Sequence, residues 1–335
     1  MSLESSQTSE TILDSSSIIA SIAANALETQ ERIKGVVVET PCLRSRAQPA
    51  EESGLIFKCE NFQHTGSFKL RGAMAKLTTL PTDMPVITAS SGNHGIACCH
   101  AAMTTGHKLT VVLPENVAKA KLALIDSYGA GTILQGFDSS LCEVHAKVLA
   151  AERGHTYVSP YNDPTVMAGQ GTIGLELLTQ LPRIDNVFIS MGGGGLISGI
   201  GSVLKVHAPE ARIIGVSAVN SAALAASMEA GRIVETEHFD TLADGCAGGV
   251  DEGSLTLPVS IEIVDRVIHC SEDEIGHALR TLAWTDNMIV EGAAALAYAA
   301  YRQDEAAFSG QTNVVLLCGA NFDRAKIEPV LTAAN

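Results

Sequence analysis

Nine short, nearly continuous apolar runs recur along the 335-residue chain, separated by segments long enough for a helix. Strands that are buried on both faces of a parallel sheet carry apolar side chains continuously rather than in alternation. Regular alternation of such strands with helices is typical of α/β proteins. The pattern therefore predicts a doubly wound α/β architecture with strands at 54–60, 85–89, 108–114, 131–136, 155–160, 186–191, 212–219, 265–270 and 313–318.

Apolar residues at helical spacing occupy several of the intervals between these strands. They predict helices at 18–33, 95–106, 117–129, 142–154 and 196–208. Residues 1–15 are polar, serine-rich and without a basic stretch, so they are not a secretory signal, and they predict a mobile tail. The chain ends soon after residue 323, so we expect no regulatory domain there.

Charge and composition exclude some classes of partner. The formal net charge is −15, whereas nucleic-acid binding and anionic membrane surfaces both require clustered Lys and Arg. No apolar run reaches the about 18 residues of a membrane helix. The eight cysteines form neither a C-x-x-C pair nor a zinc-like Cys/His cluster, which favours a reducing cytoplasm over a disulfide or metal framework.

Four consecutive glycines, Gly192–Gly195, follow one predicted strand and precede a predicted helix. Such a loop turns backbone N–H groups toward an anion, and the positive end of the helix adds to the attraction. A dinucleotide loop needs a third glycine where Ser198 stands, and an acidic residue about 20 positions later is also missing. The run therefore favours a phosphate monoester, with a tight turn that binds no ligand as the alternative.

Residues 90–95, SSGNHG, follow another predicted strand at the start of a helix. In open α/β sheets, ligands bind at the carboxyl ends of strands. The hydroxyl, amide and imidazole groups of this loop are suited to a carboxylate, together with the free N–H groups of the helix. The alternative is a structural N-cap provided by Ser91 or Asn93.

Lys69 lies among small and apolar residues in the segment ENFQHTGSFKLRGA. Most lysines are solvated, but an ammonium group in such surroundings is expected to have a lowered pKa, which favours a nucleophilic amine. An amine of this kind together with a phosphate cradle points to pyridoxal 5′-phosphate (PLP) as cofactor. Arg71 has no assigned role beyond that of a structural ion-pair partner.

The motifs occur in a familiar order: FQHTGSFKLRGA, SSGNHG, PYNDP…AGQGT, GGGGL, LADG, VEGAAALA and LLCGAN. From about residue 30 to residue 325 the chain resembles the serine/threonine dehydratase (threonine ammonia-lyase) and serine racemase family of fold-type II PLP enzymes. The resemblance implies a tryptophan synthase beta-like fold of two domains, each an open, mostly parallel sheet flanked by helices. The expected large PLP-binding domain comprises 16–84 and 163–335, and the small domain comprises 85–162. A homodimer is also implied.

The resemblance further implies roles for individual residues. Lys69 forms the Schiff base with PLP and moves the Cα proton, and Ser91 faces the opposite side of the substrate. Substrate binding is assigned to Ser90, Ser91, Gly92, Asn93 and His94. Besides Lys69, cofactor contacts are assigned to Phe68, Asn93, Gly192, Gly193, Gly194, Gly195, Leu196, Gly245, Glu291 and Cys318.

Cys318 occupies the position beside the pyridine nitrogen where family members carry Ser, Thr or Cys. A thiol is a weak hydrogen-bond partner and does not hold that nitrogen protonated as an Asp does. The ring is then a milder electron sink, which favours β-elimination over transamination. A purely structural role for a buried strand-end cysteine is the alternative.

Racemases and several dehydratases of this family bind a divalent cation through a Glu and an Asp after the strand RIIGV. This chain has Ser217 and Ala223 at those positions. Because a hard cation needs carboxylate oxygens, we predict that this metal site is absent.

The expected activity is dehydration and deamination of a β-hydroxy amino acid, L-threonine or L-serine, to a 2-oxo acid and ammonia. A serine- or aspartate-type racemase is one alternative. A dehydratase for 3-hydroxyaspartate or for an intermediate of hydroxyectoine breakdown is another. The second carboxylate of hydroxyaspartate would need a cationic partner, and the named loops provide only His64 and His94. A non-catalytic PLP carrier or amino-acid-binding protein is a further class, which the intact lysine, serine and glycine loop disfavour.

Overall fold

The computed structural model describes residues 14–47, 54–137 and 139–333. Residues 1–13 of the predicted tail lie outside this part of the chain, and Ser15 already begins the first helix. None of the helices within the described residues is long and apolar enough to cross a membrane.

Within the described residues the structure contains ten strands and twelve α-helices. The strands are β1 (Cys42–Arg44), β2 (Leu55–Lys58), β3 (Val86–Thr88), β4 (Leu109–Leu113), β5 (Gly131–Leu134), β6 (Thr156–Tyr157), β7 (Asn186–Ser190), β8 (Arg212–Ala218), β9 (Arg266–Cys270) and β10 (Asn313–Leu316). The helices are α1 (Ser15–Arg32), α2 (Lys69–Leu77), α3 (Asn93–Thr105), α4 (Lys119–Ser127), α5 (Ser139–Arg153), α6 (Pro164–Gln180), α7 (Gly195–His207), α8 (Ala223–Ala230), α9 (Thr256–Ile263), α10 (Glu272–Trp284), α11 (Gly292–Gln303) and α12 (Arg324–Thr332).

The strands form two sheets, as expected for a doubly wound α/β protein. One sheet has six strands in the order β1-β2-β10-β7-β8-β9, and the other has four in the order β5-β4-β3-β6. All neighbours pair in parallel except β1 and β2. The strands of the smaller sheet all lie within 85–162, although the bounds of the two domains stay a prediction.

All nine predicted strands are confirmed, whereas β1 was not predicted. It has only three residues, of which Leu43 and Arg44 are exposed, so it lacks an apolar run. It joins the sheet by antiparallel pairing with β2. A short edge strand of this kind carries little sequence signal.

The centre of the larger sheet is fully buried. Every residue of β7 and of β10 is buried. Phe57 and Phe188 make edge-on contacts with Tyr298 and Tyr301 of α11, with ring centroids 5.5 and 5.7 Å apart. This core fixes the carboxyl ends of β2, β7 and β10 at one edge of the sheet, where three of the conspicuous loops begin.

Candidate active site

Lys69 is the first residue of α2, and the chain before it is attached to the end of β10. The Phe68 amide donates to the Cys318 carbonyl at 3.0 Å, and the Ala320 amide donates to the Gly66 carbonyl at 2.8 Å. A β-bridge between Ser67 and Gly319 lies between these two bonds. Lys69 is thereby held beside the loop that follows β10.

The side chain of Lys69 is half-buried, and its amine is held inside the molecule. Nζ donates to the Pro160 carbonyl oxygen at 2.7 Å and lies 5.2 Å from the centroid of the Phe68 ring. Burial lowers the pKa of Lys69, against the smaller opposite effect of Cys246, Cys98 and other neighbours. The expected lowered pKa is confirmed, and a larger fraction of this amine is neutral than of an exposed lysine.

Arg71, whose role the sequence left open, lies in a buried ion-pair network that anchors the first turn of α2. Its guanidinium is fully buried and donates to Glu60 at 2.8 Å and to Glu176 at 2.6 Å. Lys58, also fully buried, pairs with Glu176 and donates to the Thr40 carbonyl. Two cations and two carboxylates thus connect α2 with α6 and with the end of β2.

The four-glycine loop follows β7 and leads into α7, as predicted, and side chains would not fit in it. A Cβ on Gly193 would lie 2.5 Å from the Tyr161 ring, and one on Gly195 would lie 2.7 Å from the Tyr161 Cα. Gly194 has φ +89°, a left-handed conformation that side chains rarely adopt. The Thr256 hydroxyl donates to the Gly193 carbonyl at 2.7 Å and fixes the loop from the opposite side.

The amide groups of this loop are available for a ligand. Within the described residues, the N–H groups of Gly192–Gly195 donate to no protein acceptor. They lead into the 13-residue helix α7, which begins at Gly195 and whose N-terminal end attracts anions. Leu196, the second residue of α7, is buried and supports the loop. The chemistry of this donor set fits a phosphate group.

The loop of residues 90–95 lies at the N-terminus of α3, but the predicted capping by Ser91 or Asn93 is wrong. The N-cap residue is Gly92, and no side chain caps the helix. Instead, the Ser90 hydroxyl accepts a hydrogen bond from the Gly92 amide at 3.2 Å. Ser91 is half-buried. Because the first amides of α3 have no protein acceptor in the described chain, they remain available for a carboxylate.

The ring of His94 was expected to bind the substrate, but it contacts the protein backbone instead. It is buried, and its Nε2 lies 3.0 Å from the Val158 carbonyl oxygen. Burial, and to a smaller extent Lys69, lower the pKa of His94 to about 3, so the imidazole is neutral and donates from Nε2. The assignment of His94 to substrate binding stays a prediction. With its ring bound to Val158, only the backbone N–H of His94 is available to bind a substrate.

Asn93 and Glu291, separated by 198 positions in the sequence, meet at the same site. The Asn93 Nδ2 donates to both carboxylate oxygens of Glu291 at 3.0 Å, and the Asn321 side chain donates to the Asn93 Oδ1 at 2.8 Å. The Cys318 thiol donates to Glu291 at 3.8 Å. A Cβ on Gly245 would lie 3.5 Å from the same carboxylate. These residues therefore converge as a group.

Ser217 and Ala223 occupy the two positions at which metal ligands were expected to be missing. Ser217 is buried in β8, and Ala223 begins α8. Over 14–47, 54–137 and 139–333, no group of three or more His, Cys, Asp or Glu side chains is placed to hold a metal ion. The absence of the family's cation site stays a prediction.

Comparison with known proteins connects this geometry to a family. A sequence profile of pyridoxal-phosphate-dependent enzymes matches residues 33–319. The chain belongs to this family. It is 38% identical to the catabolic L-threonine dehydratase of Staphylococcus aureus (strain N315) over 312 residues, which cover 91% of this chain and 90% of that protein.

Solved structures show the same fold. The processed form of threonine deaminase isoform 2 from Solanum lycopersicum is 30% identical, with a TM-score of 0.87, and the match covers 94% of this chain and 94% of that one. The serine racemase of maize is 32% identical, with a TM-score of 0.84, and the match covers 91% and 95%. The fold-type II architecture predicted from the sequence is confirmed.

The residues of this pyridoxal-phosphate-dependent enzyme fit its cofactor. The free amides of Gly192–Gly195 suit the phosphate, and an amine with a lowered pKa, that of Lys69, suits the aldehyde. Phe68 lies beside Lys69, and Asn93, Gly245 and Cys318 surround Glu291. The individual contacts of these residues with the cofactor stay predictions.

Sequence reasoning missed several residues of the site. Pro160 accepts from Lys69, Tyr161 packs against the glycine loop, Thr256 binds that loop, and Asn321 orients Asn93. Pro160 and Tyr161 belong to the motif PYNDP, and Asn321 belongs to GAN, so their presence in motifs was the available signal. Thr256 had no such signal, because its contact depends on a single hydroxyl far along the chain.

Proposed function

We propose that this chain is an ammonia-lyase that dehydrates and deaminates L-threonine, with L-serine as a second substrate. The observation that carries the proposal is the half-buried amine of Lys69, with its lowered pKa, placed beside the loop after β10 in a chain that also presents a phosphate cradle. The L-threonine dehydratase of S. aureus, to which the chain is 38% identical, supports threonine as the first substrate.

Lys69 is the base of the proposed reaction. Pyridoxal phosphate, when bound, withdraws electrons from the Cα of the amino acid and so acidifies its C–H bond. The neutral amine of Lys69 takes the Cα proton, and its lowered pKa increases the neutral fraction at physiological pH. Loss of hydroxide from Cβ with a proton releases water, and hydrolysis of the resulting enamine gives the 2-oxo acid and ammonia.

The N-terminus of α3 orients the substrate. Its free amides and the Ser91 hydroxyl bind the α-carboxylate, which places Cα between Ser91 and Lys69. The ring of His94 does not contribute, because its Nε2 is used by Val158. A substrate that lacks the α-carboxylate is therefore not expected to be processed.

Cys318 favours elimination in this proposal. Burial and, to a smaller extent, Glu291 raise the pKa of the Cys318 thiol well above its usual range, so it stays neutral. A neutral thiol at the pyridine nitrogen supplies no negative charge to stabilise a protonated ring. The electron pair at Cα is then used to expel the β-hydroxyl.

An amino-acid racemase is the second candidate. It is supported by Ser91, a hydroxyl beside the α3 amides, and by the structural likeness to the serine racemase of maize. In a racemase, Ser91 would return a proton to the face of Cα opposite Lys69. The two candidates differ in one observable, which is whether unreacted substrate changes its configuration.

We further propose that the protein is a homodimer in the cytoplasm. All eight cysteines are free thiols, and seven of them are buried, which is typical of a reducing compartment. The homodimer is proposed from the resemblance to dehydratases and racemases. Light scattering during size-exclusion chromatography tests it, and a monomeric mass over the working concentration range contradicts it.

The function is tested with purified holoenzyme and a panel of L-threonine, L-serine, their D-enantiomers and 3-hydroxyaspartate. Release of 2-oxo acid and of ammonia is followed together for each compound. We expect equal amounts of both products, with L-threonine fastest. Absence of 2-oxo acid from every compound overturns the proposed function, and a clear preference for 3-hydroxyaspartate overturns the substrate assignment.

A further inference from the structure

Glu291 is a buried carboxylate, and its position at the start of α11 does not account for its burial. It is the N-cap residue of α11, but its side chain caps nothing. Only 3% of its surface is exposed. A carboxylate removed from water is costly unless its oxygens are well paired, so its partners indicate what it does.

All the hydrogen-bond donors to this carboxylate are neutral groups. Asn93 Nδ2 lies 3.0 Å from each oxygen, the backbone nitrogen of Asn321 lies 3.2 Å from Oε2, and the Cys318 thiol lies 3.8 Å from Oε1. Glu291 takes part in none of the ion pairs found in the described part of the chain. The buried carboxylates Glu60 and Glu176, in contrast, both pair with cations. Glu291 therefore does not serve a buried ion pair.

The contacts of Asn93 fix its side-chain amide at both ends. Its Nδ2 faces the two oxygens of Glu291, and its Oδ1 accepts from the Asn321 Nδ2. The same Asn321 Nδ2 also donates to the Thr65 carbonyl at 2.7 Å, four residues before Lys69. Because an ionised carboxylate accepts hydrogen bonds and does not donate them, it determines which end of the Asn93 amide faces it.

The backbone around Glu291 leaves space for the carboxylate. A Cβ on Gly319 would lie 2.8 Å from Oε1, closer than real Cβ contacts, and one on Gly245 would lie 3.5 Å from the same atom. Any side chain at 319 would displace the carboxylate from Asn93. Two glycines in loops from different parts of the chain thus accommodate one acidic group.

We propose that Glu291 is a positioning residue of the active site, which holds the Asn93 amide in one orientation toward the cofactor and connects the N-terminus of α3 to the end of β10. The inference rests on the proposed function in one respect, namely that Asn93 faces the cofactor. Glu291 itself acts through Asn93. Its ionised form makes both bonds to Nδ2, and its protonated form makes only one good one.

The surroundings of Glu291 make this orientation sensitive to pH. Burial and, to a smaller extent, Asp244 raise the pKa of Glu291, the hydrogen bonds from Asn93, Asn321 and Cys318 lower it, and the net value is about 7. The other titratable groups that face the site are Lys69 of α2 and Cys246 of the turn after Asp244. Asn93 is therefore held firmly above about pH 7 and less firmly below it.

The test compares pyridoxal phosphate binding to cofactor-free parent protein, Glu291→Gln and Glu262→Gln. Glu262 is exposed in α9, so its replacement removes the same charge without touching the site. Binding is followed by the visible absorbance of the bound cofactor. A glutamine has one acceptor oxygen for the donors that converge here, so we expect E291Q to weaken binding about tenfold at pH about 8. E262Q is expected to bind like the parent.

The pH dependence separates positioning from a merely structural role. The ratio of E291Q to parent dissociation constants should fall toward one as the pH is lowered through about 7, where the parent carboxyl becomes protonated. Equal affinities of E291Q and E262Q, or a ratio that does not change with pH, overturn the proposal. If E291Q does not fold, Asn321→Ala replaces it: weaker binding supports the proposal, and unchanged binding overturns it.

This experiment measures binding and not turnover, so its result is independent of the lyase assay. A parent protein that binds the cofactor but releases no 2-oxo acid contradicts the proposed function alone. An E291Q protein that binds as the parent does, in an enzyme that deaminates L-threonine, contradicts the positioning role alone.

Discussion

The amine of Lys69 donates a hydrogen bond of 2.7 Å to the backbone carbonyl of Pro160, 91 residues further along the chain. Pro160 follows β6, the last strand of the four-stranded sheet, whereas Lys69 begins a helix after β2 of the six-stranded sheet. The bond therefore joins the amine of Lys69 to the segment that leads from one sheet to the other.

Replacement of Lys69 by alanine is expected to reduce kcat for 2-oxo acid release at least about a thousandfold, because it removes both the nucleophile and the base. The visible absorbance of the lysine-linked cofactor should disappear, while thermal stability changes little. Lys34→Ala is the matched control, since Lys34 forms only an exposed pair with Glu31. Persistence of the absorbance band in K69A contradicts the assignment of the lysine.

Replacement of Gly193 by alanine is expected to weaken cofactor binding by about tenfold or more, because the added Cβ would lie 2.5 Å from the Tyr161 ring and displace the loop. Gly249→Ala is the control, because nothing lies within 4 Å of a Cβ at that position. Dissociation constants for pyridoxal phosphate provide the measurement. Similar affinities of the two variants would argue against the glycine loop as the phosphate site.

Replacement of Arg71 by methionine is expected to destabilise the protein by about 3–5 kcal/mol, because it leaves Glu60 buried without its ion-pair partner and Glu176 paired only with Lys58. Burial alone would raise the pKa of Glu60, but Arg71 lowers it below its usual value, so the contribution of this pair is present at neutral pH and lost in acid. Urea unfolding measures the effect. Arg324→Met, at an exposed pair with Glu328, is expected to leave stability nearly unchanged. Equal effects of R71M and R324M would contradict the structural importance of the network.

Glu291 gives the unfolding free energy a pH dependence of defined sign. Its pKa rises from 4.5 in the unfolded chain to about 7 in the folded protein. Below pH 4.5 the raised pKa does not lower the free energy of unfolding, because the carboxyl is protonated in both the folded and the unfolded protein. The cost grows as the pH rises and is complete above about 7. At about 1.4 kcal/mol for each pKa unit it amounts to roughly 3 kcal/mol.

Cofactor-free E291Q lacks this cost. Between about pH 5 and about pH 8, its free energy of unfolding relative to the parent should therefore increase by roughly 2–3 kcal/mol. Urea unfolding at a series of pH values measures the difference. A difference that is constant over this range contradicts the raised pKa of Glu291.

The sheets and the phosphate loop could be predicted from the sequence because their signals are local. Apolar runs identify β7 and β10, and Gly192–Gly195 stand directly between a strand and a helix. Each of these features depends on residues within a short window. The lowered pKa of Lys69 was also expected from its small and apolar neighbours in the chain, although burial in the folded protein produces it.

The remaining features depend on contacts between distant segments. The Asn93–Glu291 hydrogen bonds join residues 198 positions apart, and the network around Arg71 joins it to Glu176, 105 positions away. The N-cap of α3 was mistaken because Ser91 and Asn93 are good capping residues, yet their side chains do not cap the helix. The side chain of Asn93 binds Glu291 instead of capping the helix.

In the proposed function, Lys69 drives elimination from L-threonine. One time course with holoenzyme and L-threonine tests this most directly, in which 2-oxobutanoate, ammonia and the configuration of the remaining threonine are followed together. We expect equal amounts of oxo acid and ammonia and remaining substrate that is still L-threonine. Inversion of Cα faster than the appearance of 2-oxobutanoate would contradict it and identify a racemase.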